Sequence, residues 1–471
     1  MIDVSYMHGL TVAVMGLGRS GLAAAKALIA GGAEVWAWDD APECREAAAK
    51  EDIPLVDLAN CDWTEPASLI LSPGVPLHHP EPHPTVALAD AAGVEVIGDI
   101  ELLGRALPDA GYLGVTGTNG KSTTTALIGH VMEMAGREVQ VGGNLGTPAL
   151  ALDPVGPGGS YVLEMSSFQL ELTRSITFDV AVLLNISADH LDRYADMAGY
   201  LAAKRIIFHR QTMPRTAVVG IDDEHCAAIR RALAEVGDQM VIPISGKTRA
   251  HGGVFVRDGW LYDDTDGKET AVIDMGRVLS LVGWHNWQNA AAAYAAVKSV
   301  GITPPVAVAA INSYAGLSHR QELIAVVDGV LYVNDSKATN PDAAAKALAC
   351  YDDIYWIVGG QAKQAGLAGL DAYYPRIAHA FLIGQSTERF AALLEGKVRL
   401  TRCGELERAM EKAHRLALRQ QRPRPVVLLS PACASFDQFK DFEDRGDTFR
   451  RLVEALPGEH LDPLEFQGMQ D

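Results

Sequence analysis

The stretch GVTGTNGKSTTTALIGHVM, residues 114–132, decides the fold of the central part of the chain. Apolar residues from Tyr112 to Val115 predict a buried strand, and the residues after Ser122 predict a helix. The turn between them, GTNGKS, is rich in glycine and ends in Lys121 and Ser122. In such a unit, backbone N–H groups cradle phosphates, the lysine reaches the outer phosphates and the hydroxyl can hold Mg²⁺. The sequence therefore predicts a nucleoside triphosphate site.

This turn is shorter than the general pattern GxxxxGK[ST]. The first glycine of that pattern would fall at position 115, which is Val115. A glycine turn that only caps a helix is the alternative, but Gly-Lys-Ser between a strand and a helix favours phosphate binding. The residues of this turn that we predict to bind ATP are Gly117, Thr118, Asn119, Gly120, Lys121, Ser122 and Thr123.

The composition indicates several well-formed cores. A length of 471 residues is too great for one ordinary core, so about two to four domains are expected. Apolar residues make up 48% of the chain and charged residues 21%, which argues against disorder. The net charge of −19 argues against a general nucleic-acid binder, although a few local donors can still hold anionic small molecules.

The cellular compartment is predicted from the cysteines and from apolar segments. The six cysteines are dispersed and form no CxxC pair, which indicates a reducing compartment. The N-terminus does not resemble a secretory leader, and no apolar window is long enough to span a bilayer. We therefore expect a cytoplasmic protein without membrane insertion.

The fold class follows from the alternation of short Val-, Ile- and Leu-rich runs with Ala-rich helical segments, which is typical of parallel sheets covered by helices. The pattern restarts three times. We therefore predict an α/β protein of three domains. These are a Rossmann-like domain over residues 1–104, a P-loop-type ATPase domain with a small antiparallel insertion over 105–316, and a Rossmann-like α/β domain over 317–471.

Local signals add detail to this plan. The pattern from Val254 to Asp274 predicts the antiparallel insertion, and Asp328-Gly329 between apolar runs predicts a hairpin. The last helix is expected to end near Leu456.

A second glycine-rich turn, GLGRSG, follows the predicted strand from Leu10 to Met15. With Asp39 further along the chain, it has the form of a dinucleotide fingerprint in which the acidic residue binds a ribose. A lone GxGxxG is weak, and a tight turn that merely needs glycines is the alternative. Any diphosphate would suit this helix N-terminus. The turn residues predicted to bind it are Gly16, Gly18, Arg19 and Ser20.

Further motifs follow in order along nearly the whole chain. They are GGNLG (142–146), EMSSFQLE (164–171), NISADHLDRY (185–194), AAKRIIF (202–208), HNWQNAAAA (from 285), HRQE (from 319), NDSKATNPDA (from 334), GGQAK (359–363) and SPACASFDQFKDFEDRG (430–446). Together with the shortened turn, this set resembles the Mur ligases. The shortened turn alone is also typical of folylpolyglutamate synthases.

Within that family, the chain is similar to the ligases that add D-glutamate. GLGRSG, SPG at Ser72 to Gly74, GDIE at Gly98 to Glu101 and the last motif all fit, whereas the DNPR motif of the relatives that add diaminopimelate or lysine is absent. The resemblance implies an ATP-dependent ligase of peptidoglycan precursor synthesis, which joins D-glutamate to UDP-N-acetylmuramoyl-L-alanine through an acyl phosphate. It implies binding of the UDP portion at GLGRSG, with Asp39 near the uracil, and at Ser72, Pro73, Gly74 and Asn144.

The metal ligands rest mainly on the resemblance, which implies two Mg²⁺ ions. Glu164 and His190 each follow an apolar run, so both are expected at carboxyl ends of strands. On chemistry alone, imidazole suits Mg²⁺ less well than oxygen does, and one such residue is more often structural. Lys204 by itself would be an ordinary surface lysine, and only the resemblance implies that it is carbamylated. The implied ligands are Ser122, Glu164, His190 and carbamylated Lys204.

The remaining roles are also implied by the resemblance. Arg320, Asp335 and Lys337 would contact the phosphates of ATP or the acyl phosphate. Asn286 and Asn289, at i and i+3 on one helix face, would meet the adenine side. The catalytic set is Lys121, His190, Lys204, Arg320 and Lys337, and the D-glutamate pocket is Thr339, Lys363, Ser435, Phe436 and Phe442. For the two phenylalanines, simple core packing is the alternative.

The loop with His78, His79 and His83 does not predict a metal site, because its prolines suit an extended loop and no partner ligand is implied.

Other functions remain open. The alternatives are another Mur ligase, a folylpolyglutamate synthase, a nicotinamide-dependent oxidoreductase built on GLGRSG, or a nucleotide-gated binding protein without turnover. We expect a monomer that acts on small molecules and not on nucleic acid.

Overall fold

The computed structural model describes residues 1–188 and 193–468, which separate into two compact units. The first unit comprises Met1–Ile273 with His285–Ile311, and the second comprises Asp274–Trp284 with the residues from Asn312 onward. Within the described part of the chain, the first unit contains two sheets and the second unit contains one. This arrangement confirms the α/β class, whereas the domain boundaries at residues 104 and 316 stay predictions.

The first sheet carries the GLGRSG turn. Its elements are β1 (Thr11–Met15), α1 (Arg19–Ala30), β2 (Glu34–Trp38), α2 (Pro42–Ala49), β3 (Ser68–Leu71), α3 (Pro84–Ala92), β4 (Glu95–Ile97) and α4 (Asp99–Ala106). The strands are parallel and lie in the order β2-β1-β3-β4. Buried apolar residues on both faces of β1 explain its continuous hydrophobic run. The turn therefore leaves the carboxyl end of a central strand, where ligands of such sheets bind.

The second sheet carries the GTNGKS turn. Its elements are β5 (Gly111–Thr116), α5 (Lys121–Met134), β6 (Val139–Gly143), β7 (Ser160–Glu164), α6 (Ser167–Glu171), β8 (Val180–Leu183), α7 (Met197–Arg205), β9 (Thr216–Gly220), α8 (Glu224–Val236), β10 (Met240–Ser245), β11 (Val254–Arg257), β12 (Trp260–Asp263), β13 (Thr270–Asp274), α9 (Trp284–Ser299) and α10 (Pro304–Asn312). The order is β13-β12-β11-β10-β9-β8-β5-β7-β6. The strands from β10 to β6 in this order are parallel, and the antiparallel pair β11 and β12 confirms the predicted insertion.

The third sheet lies in the second unit. Its elements are β14 (Glu322–Val327), β15 (Val330–Asn334), α11 (Pro341–Leu348), β16 (Ile354–Gly359), β17 (Ile377–Ile383), α12 (Thr387–Leu394), β18 (Leu400–Gly404), α13 (Leu406–Gln420), β19 (Val426–Leu429), α14 (Phe442–Glu454), β20 (His460–Leu461) and α15 (Pro463–Gly468). The order is β18-β17-β16-β19-β15-β14-β20. The predicted hairpin between β14 and β15 is confirmed, with φ of 49° at Asp328 and 79° at Gly329, as a tight hairpin turn requires.

The end of the chain differs from the prediction. The helix α14 ends at Glu454, but it is not the last element, because β20 pairs antiparallel with the edge strand β14 and α15 follows. A strand of two residues has no hydrophobic period, so only its backbone pairing could reveal it. None of the helices in the described ranges is long and apolar enough to cross a membrane.

Candidate functional site

The GTNGKS turn connects the carboxyl end of β5 to the first residue of α5. Gly117 has a φ of 151° and Gly120 a φ of 84°, which favour glycine at both positions. A Cβ atom at Gly120 would lie 2.2 Å from Oδ1 of Asn289, so any larger residue there would require the Asn289 side chain to move. The turn therefore leaves its backbone N–H groups at the positive end of a helix, where phosphate binds.

Lys121 lies over this turn. Its Nζ donates to the carbonyl oxygens of Gly117 at 2.9 Å and Thr118 at 3.0 Å. Ser122 follows in the first turn of α5 and is buried, and Thr123 comes next. The ammonium group is thus held where phosphate oxygens, which are stronger acceptors than carbonyls, would approach the N–H groups. The arrangement can neutralise the charge of a polyphosphate.

Glu164 lies at the carboxyl end of β7, next to β5, as expected. Its side chain is buried, and Oε1 accepts a hydrogen bond of 2.6 Å from Nδ2 of Asn144. Among the described residues, Oε2 has no hydrogen-bond partner although it is buried. A buried carboxylate oxygen without a donor is costly, and coordination of a cation would satisfy it. Carboxylate and hydroxyl oxygens such as those of Glu164 and Ser122 are of the type that suits Mg²⁺, and their role as ligands stays a prediction.

His190, the other implied metal ligand, lies outside the described residues. Within residues 1–188 and 193–468, no group of three or more His, Cys, Asp or Glu side chains could hold a metal ion. The described part of the site therefore offers one carboxylate, Glu164, and one hydroxyl, Ser122, and it would need further ligands to fill an octahedral shell.

Lys204 is buried on α7, with 2% of its surface exposed, so the alternative of an ordinary surface lysine is wrong. Its Nζ donates to the carbonyl oxygen of Gly117 at 3.0 Å and lies 4.7 Å from the ring centre of Tyr200. The hydroxyl of Tyr200 lies 3.2 Å from Oγ1 of Thr118. The helix thus brings the lysine and an aromatic ring to the same turn as Lys121, which no pattern in its helix indicates.

Asn286 and Asn289 are buried on α9, and Nδ2 of Asn289 donates to Oδ1 of Asn286 at 3.1 Å. The predicted common face is confirmed by this contact. Oδ1 of Asn289 is buried and has no hydrogen-bond donor in the described part of the chain. Because it lies beside Gly120, α9 presents an amide oxygen at the edge of the GTNGKS turn.

The GLGRSG turn is organised by Asp39. The Asp39 carboxylate accepts the N–H groups of Leu17 at 2.6 Å and Ala41 at 2.8 Å. Gly16 has a φ of 91°, and a Cβ atom at Gly21 would lie 1.7 Å from the carbonyl oxygen of Gly16. Asp39 therefore fixes the backbone of this turn directly, a role that the dinucleotide pattern does not predict.

The other residues predicted for the UDP portion lie around the same turn. Ser72, after β3, donates to the carbonyl oxygen of Gly16 at 3.0 Å. Arg19 donates to the carbonyl oxygen of Gly146 at 3.2 Å, in the loop that contains Asn144. Gly18 caps the N-terminus of α1, Ser20 lies in its first turn, and Pro73 and Gly74 continue the loop from Ser72. The structure thus links GLGRSG through Arg19 and Asn144 to Glu164 beside the other turn.

The second unit gathers Arg320, Asp335 and Lys337 at the carboxyl end of β15. The Asp335 carboxylate accepts from Ser430 Oγ at 2.7 Å and from Gln321 N–H at 3.1 Å, and burial raises its pKa to about 7. Arg320 lies between His319, with a φ of 63°, and Gln321, with a φ of 45°. Such conformations are costly for these residues and cluster at functional sites.

The predicted D-glutamate residues lie on neighbouring loops of this unit. Gln361 and Ala434 exchange backbone hydrogen bonds of 2.9 and 3.1 Å, which hold the loop of Lys363 beside the loop of Ser435. The Lys337 ammonium lies 4.5 Å from the ring centre of Phe442. Thr339 follows Lys337, and its N–H donates to the Lys337 carbonyl at 2.8 Å.

Phe436 is 70% exposed, so the alternative of core packing is wrong for it. Phe442, by contrast, is half-buried between the Lys337 ammonium and the ring of His319, which lies 6.1 Å away at 80°. Of these two phenylalanines, Phe436 therefore presents the aromatic ring that other side chains leave largely uncovered.

Arg445 was missed from the sequence. It is buried, donates to Ser336 Oγ at 2.9 Å and to the Cys433 carbonyl at 3.1 Å, and has Nη1 without a partner among the described residues. Burial lowers its pKa to about 10. The side chain of Arg445 thereby joins the segment that contains Lys337 to the segment that contains Ser435. The only signal was its place within the last motif, because a pattern cannot tell a buried arginine from an exposed one.

The histidine-rich loop has other contacts. His83 caps the N-terminus of α3 by accepting the N–H of Thr85 at 3.2 Å, and its Nε2 lies 2.9 Å from Asp40. His78 and His79 line a cavity of about 310 Å³ together with Glu171. Burial raises the pKa of Glu171.

Two domain families match the chain. The Mur ligase middle domain matches residues 115–297, and the Mur ligase glutamate ligase domain matches residues 319–433. A UDP-N-acetylmuramoylalanine--D-glutamate ligase of Rhodospirillum rubrum is 51% identical and aligns over 97% of both chains. The protein of the same name from Caulobacter sp. strain K31 is also 51% identical, over 97% of this chain and 98% of its own length.

Solved structures share the fold. A UDP-N-acetylmuramoyl-L-alanyl-D-glutamate--2,6-diaminopimelate ligase superposes with a TM-score of 0.58 at 19% identity, covering 97% of this chain and 94% of its own. The MurF ligase of Thermotoga maritima in complex with ADP has a TM-score of 0.55 at 17% identity, covering 96% of this chain and 97% of its own. At such low identity these likenesses concern the fold alone.

Proposed function

Since the chain belongs to the Mur ligase family, we propose that it joins D-glutamate to UDP-N-acetylmuramoyl-L-alanine with conversion of ATP to ADP and phosphate. The observation that carries this proposal is the connection between the two glycine-rich turns. Arg19 contacts the loop of Asn144, Asn144 contacts Glu164, and Glu164 is the last residue of the strand β7, which pairs with β5. This connection supports a site for a nucleotide sugar next to a site for a triphosphate.

The reaction has two steps. The carboxylate oxygen of the L-alanyl group attacks the γ-phosphorus of ATP, a P–O bond forms, and the bond to the β-phosphate oxygen breaks to release ADP. The amine of D-glutamate then attacks the acyl carbon, loses a proton, and displaces inorganic phosphate as the amide forms. No protein nucleophile takes part, so the enzyme contributes positioning and charge stabilisation.

Lys121 is proposed to act in the first step. Its ammonium would exchange the carbonyls of Gly117 and Thr118 for the β- and γ-phosphate oxygens, since ionised acceptors bind an ammonium more strongly. The backbone N–H groups from Gly120 to Thr123 would hold the same phosphates at the N-terminus of α5, since those of Thr118 and Asn119 already donate to Asn185. Charge that develops on the transferred group would therefore be stabilised without rearrangement of the turn.

Mg²⁺ is proposed to be held by Ser122, Glu164, His190 and Lys204 as a carbamate, in two sites, and it would neutralise phosphate charge. Oε2 of Glu164, which is buried and has no hydrogen-bond partner within residues 1–188 and 193–468, and the buried hydroxyl residue Ser122 support this set. Carbamylation would replace the Lys204 ammonium by an anionic oxygen ligand. The contact of the Lys204 ammonium with the carbonyl oxygen of Gly117 supports a position for that group beside the turn.

The second unit is proposed to supply the D-glutamate site and further phosphate contacts. Arg320 and Lys337 would offset charge on the transferred phosphoryl group, and Asp335 would contact ATP. Lys363, Ser435 and Thr339 provide the cation and hydroxyls that a dicarboxylate needs, with Phe436 and Phe442 beside them. The paired loops of Lys363 and Ser435 support this grouping.

The substrate turns are assigned in the same way. The N–H groups of GLGRSG would bind the diphosphate, with Arg19, Ser20, Asp39, Ser72, Pro73, Gly74 and Asn144 around the uridine and sugar, and Asn286 and Asn289 would meet the adenine of ATP. We propose three domains, over residues 1–104, 105–316 and 317–471, in a cytoplasmic monomer.

The test is phosphate release by the full-length chain with ATP, Mg²⁺, UDP-N-acetylmuramoyl-L-alanine and a panel of amino acids. We expect release with D-glutamate and little with L-glutamate, L-lysine or diaminopimelate. Release that is stimulated by another amino acid would assign a different ligase. Oxidation or reduction of a nicotinamide cofactor without ADP release would overturn the proposal in favour of an oxidoreductase.

A further inference from the structure

Gln288 is fully buried on α9 between the two asparagines proposed for adenine. Its amide makes two hydrogen bonds to side chains far away in sequence. Nε2 donates to Oδ2 of Asp222 at 2.9 Å, and Oε1 accepts from Nδ2 of Asn185 at 3.0 Å. Asp222 follows β9 and Asn185 follows β8, so Gln288 spans two strand ends of the second sheet.

Asn185 connects Gln288 to the GTNGKS turn. Its Oδ1 accepts the N–H of Asn119 at 2.9 Å, and its Nδ2 donates to the carbonyl oxygen of Asn119 at 3.2 Å. Its own carbonyl oxygen accepts the N–H of Thr118 at 2.8 Å. The side-chain amide therefore holds the middle of the turn as a neighbouring strand would, through both polar groups of one residue.

Asp222 determines how the side-chain amides of Gln288 and Asn185 are oriented. Its Oδ1 accepts from Ser245 Oγ at 2.5 Å, and its Oδ2 accepts the N–H of Gly246 at 2.8 Å besides the amide of Gln288. An ionised carboxylate only accepts, so the NH₂ group of Gln288 must face it. The oxygen of Gln288 then faces the NH₂ group of Asn185, which leaves Oδ1 of Asn185 for the N–H of Asn119.

We propose that Gln288 is a positioning residue for ATP, which holds the GTNGKS turn and α9 at one separation through Asn185 and Asp222. This inference rests on the proposed function only in that ATP is the ligand of the turn. Adenine and phosphates belong to one molecule. The separation between α9 and the turn must therefore match the distance between the adenine and the phosphates of bound ATP. If the turn could shift relative to α9, part of the free energy of ATP binding would be lost in fixing the turn and the helix at one separation.

The test compares Gln288→Leu with the matched control Gln211→Leu in the full-length protein. Gln211 is also buried and also donates two hydrogen bonds, to the carbonyls of Phe178 and Thr216 at 2.9 and 3.1 Å, but it does not contact the turn. We expect both variants to unfold at lower temperature. Only Gln288→Leu should weaken ATP binding, by roughly tenfold, since two buried hydrogen bonds are removed.

The direction of the hydrogen bonds from Asn185 to Gln288 and from Gln288 to Asp222 gives a second readout. Gln288→Glu places two carboxylates face to face and should weaken ATP binding more than Gln288→Leu does. The double variant Gln288→Glu with Asp222→Asn exchanges the amide and the carboxylate and should recover part of the affinity that Gln288→Glu loses. Recovery is incomplete because the new NH₂ group at position 222 cannot accept the N–H of Gly246. A residue that acts only through general stability would not show this rescue.

Binding is measured by calorimetry with ATP and Mg²⁺ alone, together with the KM values for ATP and D-glutamate. The expected result is a raised KM for ATP with the KM for D-glutamate unchanged. Equal ATP affinity in Gln288→Leu and in the wild type, or a wild type that binds no ATP, would overturn the inference. A wild type that binds ATP but does not ligate D-glutamate would overturn the proposed function and leave this inference standing.

Discussion

The two glycine-rich turns of the first unit have the same backbone plan and different surroundings. Each follows the carboxyl end of a parallel strand, opens a helix, and contains glycine at positive φ. Around GLGRSG, the Asp39 carboxylate accepts a backbone N–H of the turn itself. Around GTNGKS lie two lysine ammonium groups and a buried glutamate oxygen that accepts no hydrogen bond from the part of the chain that the structure describes. The backbone conformation suits anion binding at both places, whereas the groups that the proposed phosphoryl transfer would use lie beside the second turn.

Lys121→Ala breaks this comparison most strongly. Without the ammonium, the second turn keeps its N–H groups and becomes a binding turn like the first. We expect ADP release to fall by about 10²- to 10³-fold, as when one preorganised charge-stabilising group is lost, while binding of the UDP substrate is retained. ADP release is followed by a coupled assay and substrate binding by calorimetry. Unchanged ADP release would contradict the role of Lys121.

Glu101→Ala tests the hydrogen bonds that join α4, which follows the first sheet, to the segment before β8 of the second sheet. Its buried carboxylate in α4 accepts the N–H groups of Arg174 and Ser175, the hydroxyl of Ser175 and Arg105. Removal leaves these donors unsatisfied, so the unfolding free energy should drop by about 3 kcal/mol. Urea unfolding measures the loss. Glu95→Ala, which removes only a more exposed partner of Arg105, is the control and should cost far less.

Asp99→Asn tests a neighbouring buried carboxyl through pH. Burial raises the pKa of Asp99 to about 6, although the N–H of Ile100 opposes this shift. In the unfolded chain an aspartate carboxyl has a pKa near 3.9, so the folded protein binds the proton of Asp99 more tightly. The stabilisation that protonated Asp99 contributes is complete below about pH 4 and is lost as pH rises through 6.

The variant should therefore gain stability relative to the wild type between pH 4 and 7, by on the order of 2 kcal/mol in total. Urea unfolding of both proteins at several pH values gives this difference directly, because contributions of other groups cancel. A constant difference across this range would show that Asp99 does not titrate as described.

Asp39→Ala sharpens the comparison from the side of the first turn. The change frees the N–H groups of Leu17 and Ala41 and loosens GLGRSG. Because a hydrogen bond to a charged group contributes about 1.5–3 kcal/mol, we expect affinity for the UDP substrate to fall by at least roughly tenfold. The KM for ATP should not change. An equal loss for both substrates would mean that the two turns are not separate sites.

Ser72→Ala should have the smallest effect. It removes one hydrogen bond, to the carbonyl oxygen of Gly16, at a half-buried position. The loss of affinity for the UDP substrate should be within about fivefold, as for one neutral hydrogen bond. Calorimetry with UDP-N-acetylmuramoyl-L-alanine measures it. A loss as large as that of Asp39→Ala would place Ser72 in direct contact with the ligand.

The sequence predicted the features that depend on neighbouring residues. Both turns, the hairpin at Asp328-Gly329 and the strand before Glu164 follow from glycine spacing and short apolar runs. It could not predict that Lys204 is buried, because α7 has no strongly amphipathic pattern. Phe436 in turn is exposed although its type favours a core.

The contacts of Gln288 could not be predicted either. It reaches Asn185 and Asp222 across 103 and 66 positions of sequence, and all three are ordinary polar residues. Such networks depend on which strand ends the sheet order brings together, and the order of nine strands is not written in local periodicity.

The central claim is that a substrate carboxylate held from the first turn attacks the γ-phosphate of ATP held at the second. It is tested most directly with UDP-N-acetylmuramoyl-L-alanine labelled with ¹⁸O in the L-alanyl carboxylate. Attack by that carboxylate followed by displacement with D-glutamate transfers one labelled oxygen to inorganic phosphate. We predict phosphate with one ¹⁸O per turnover by mass spectrometry, and unlabelled phosphate would contradict the account.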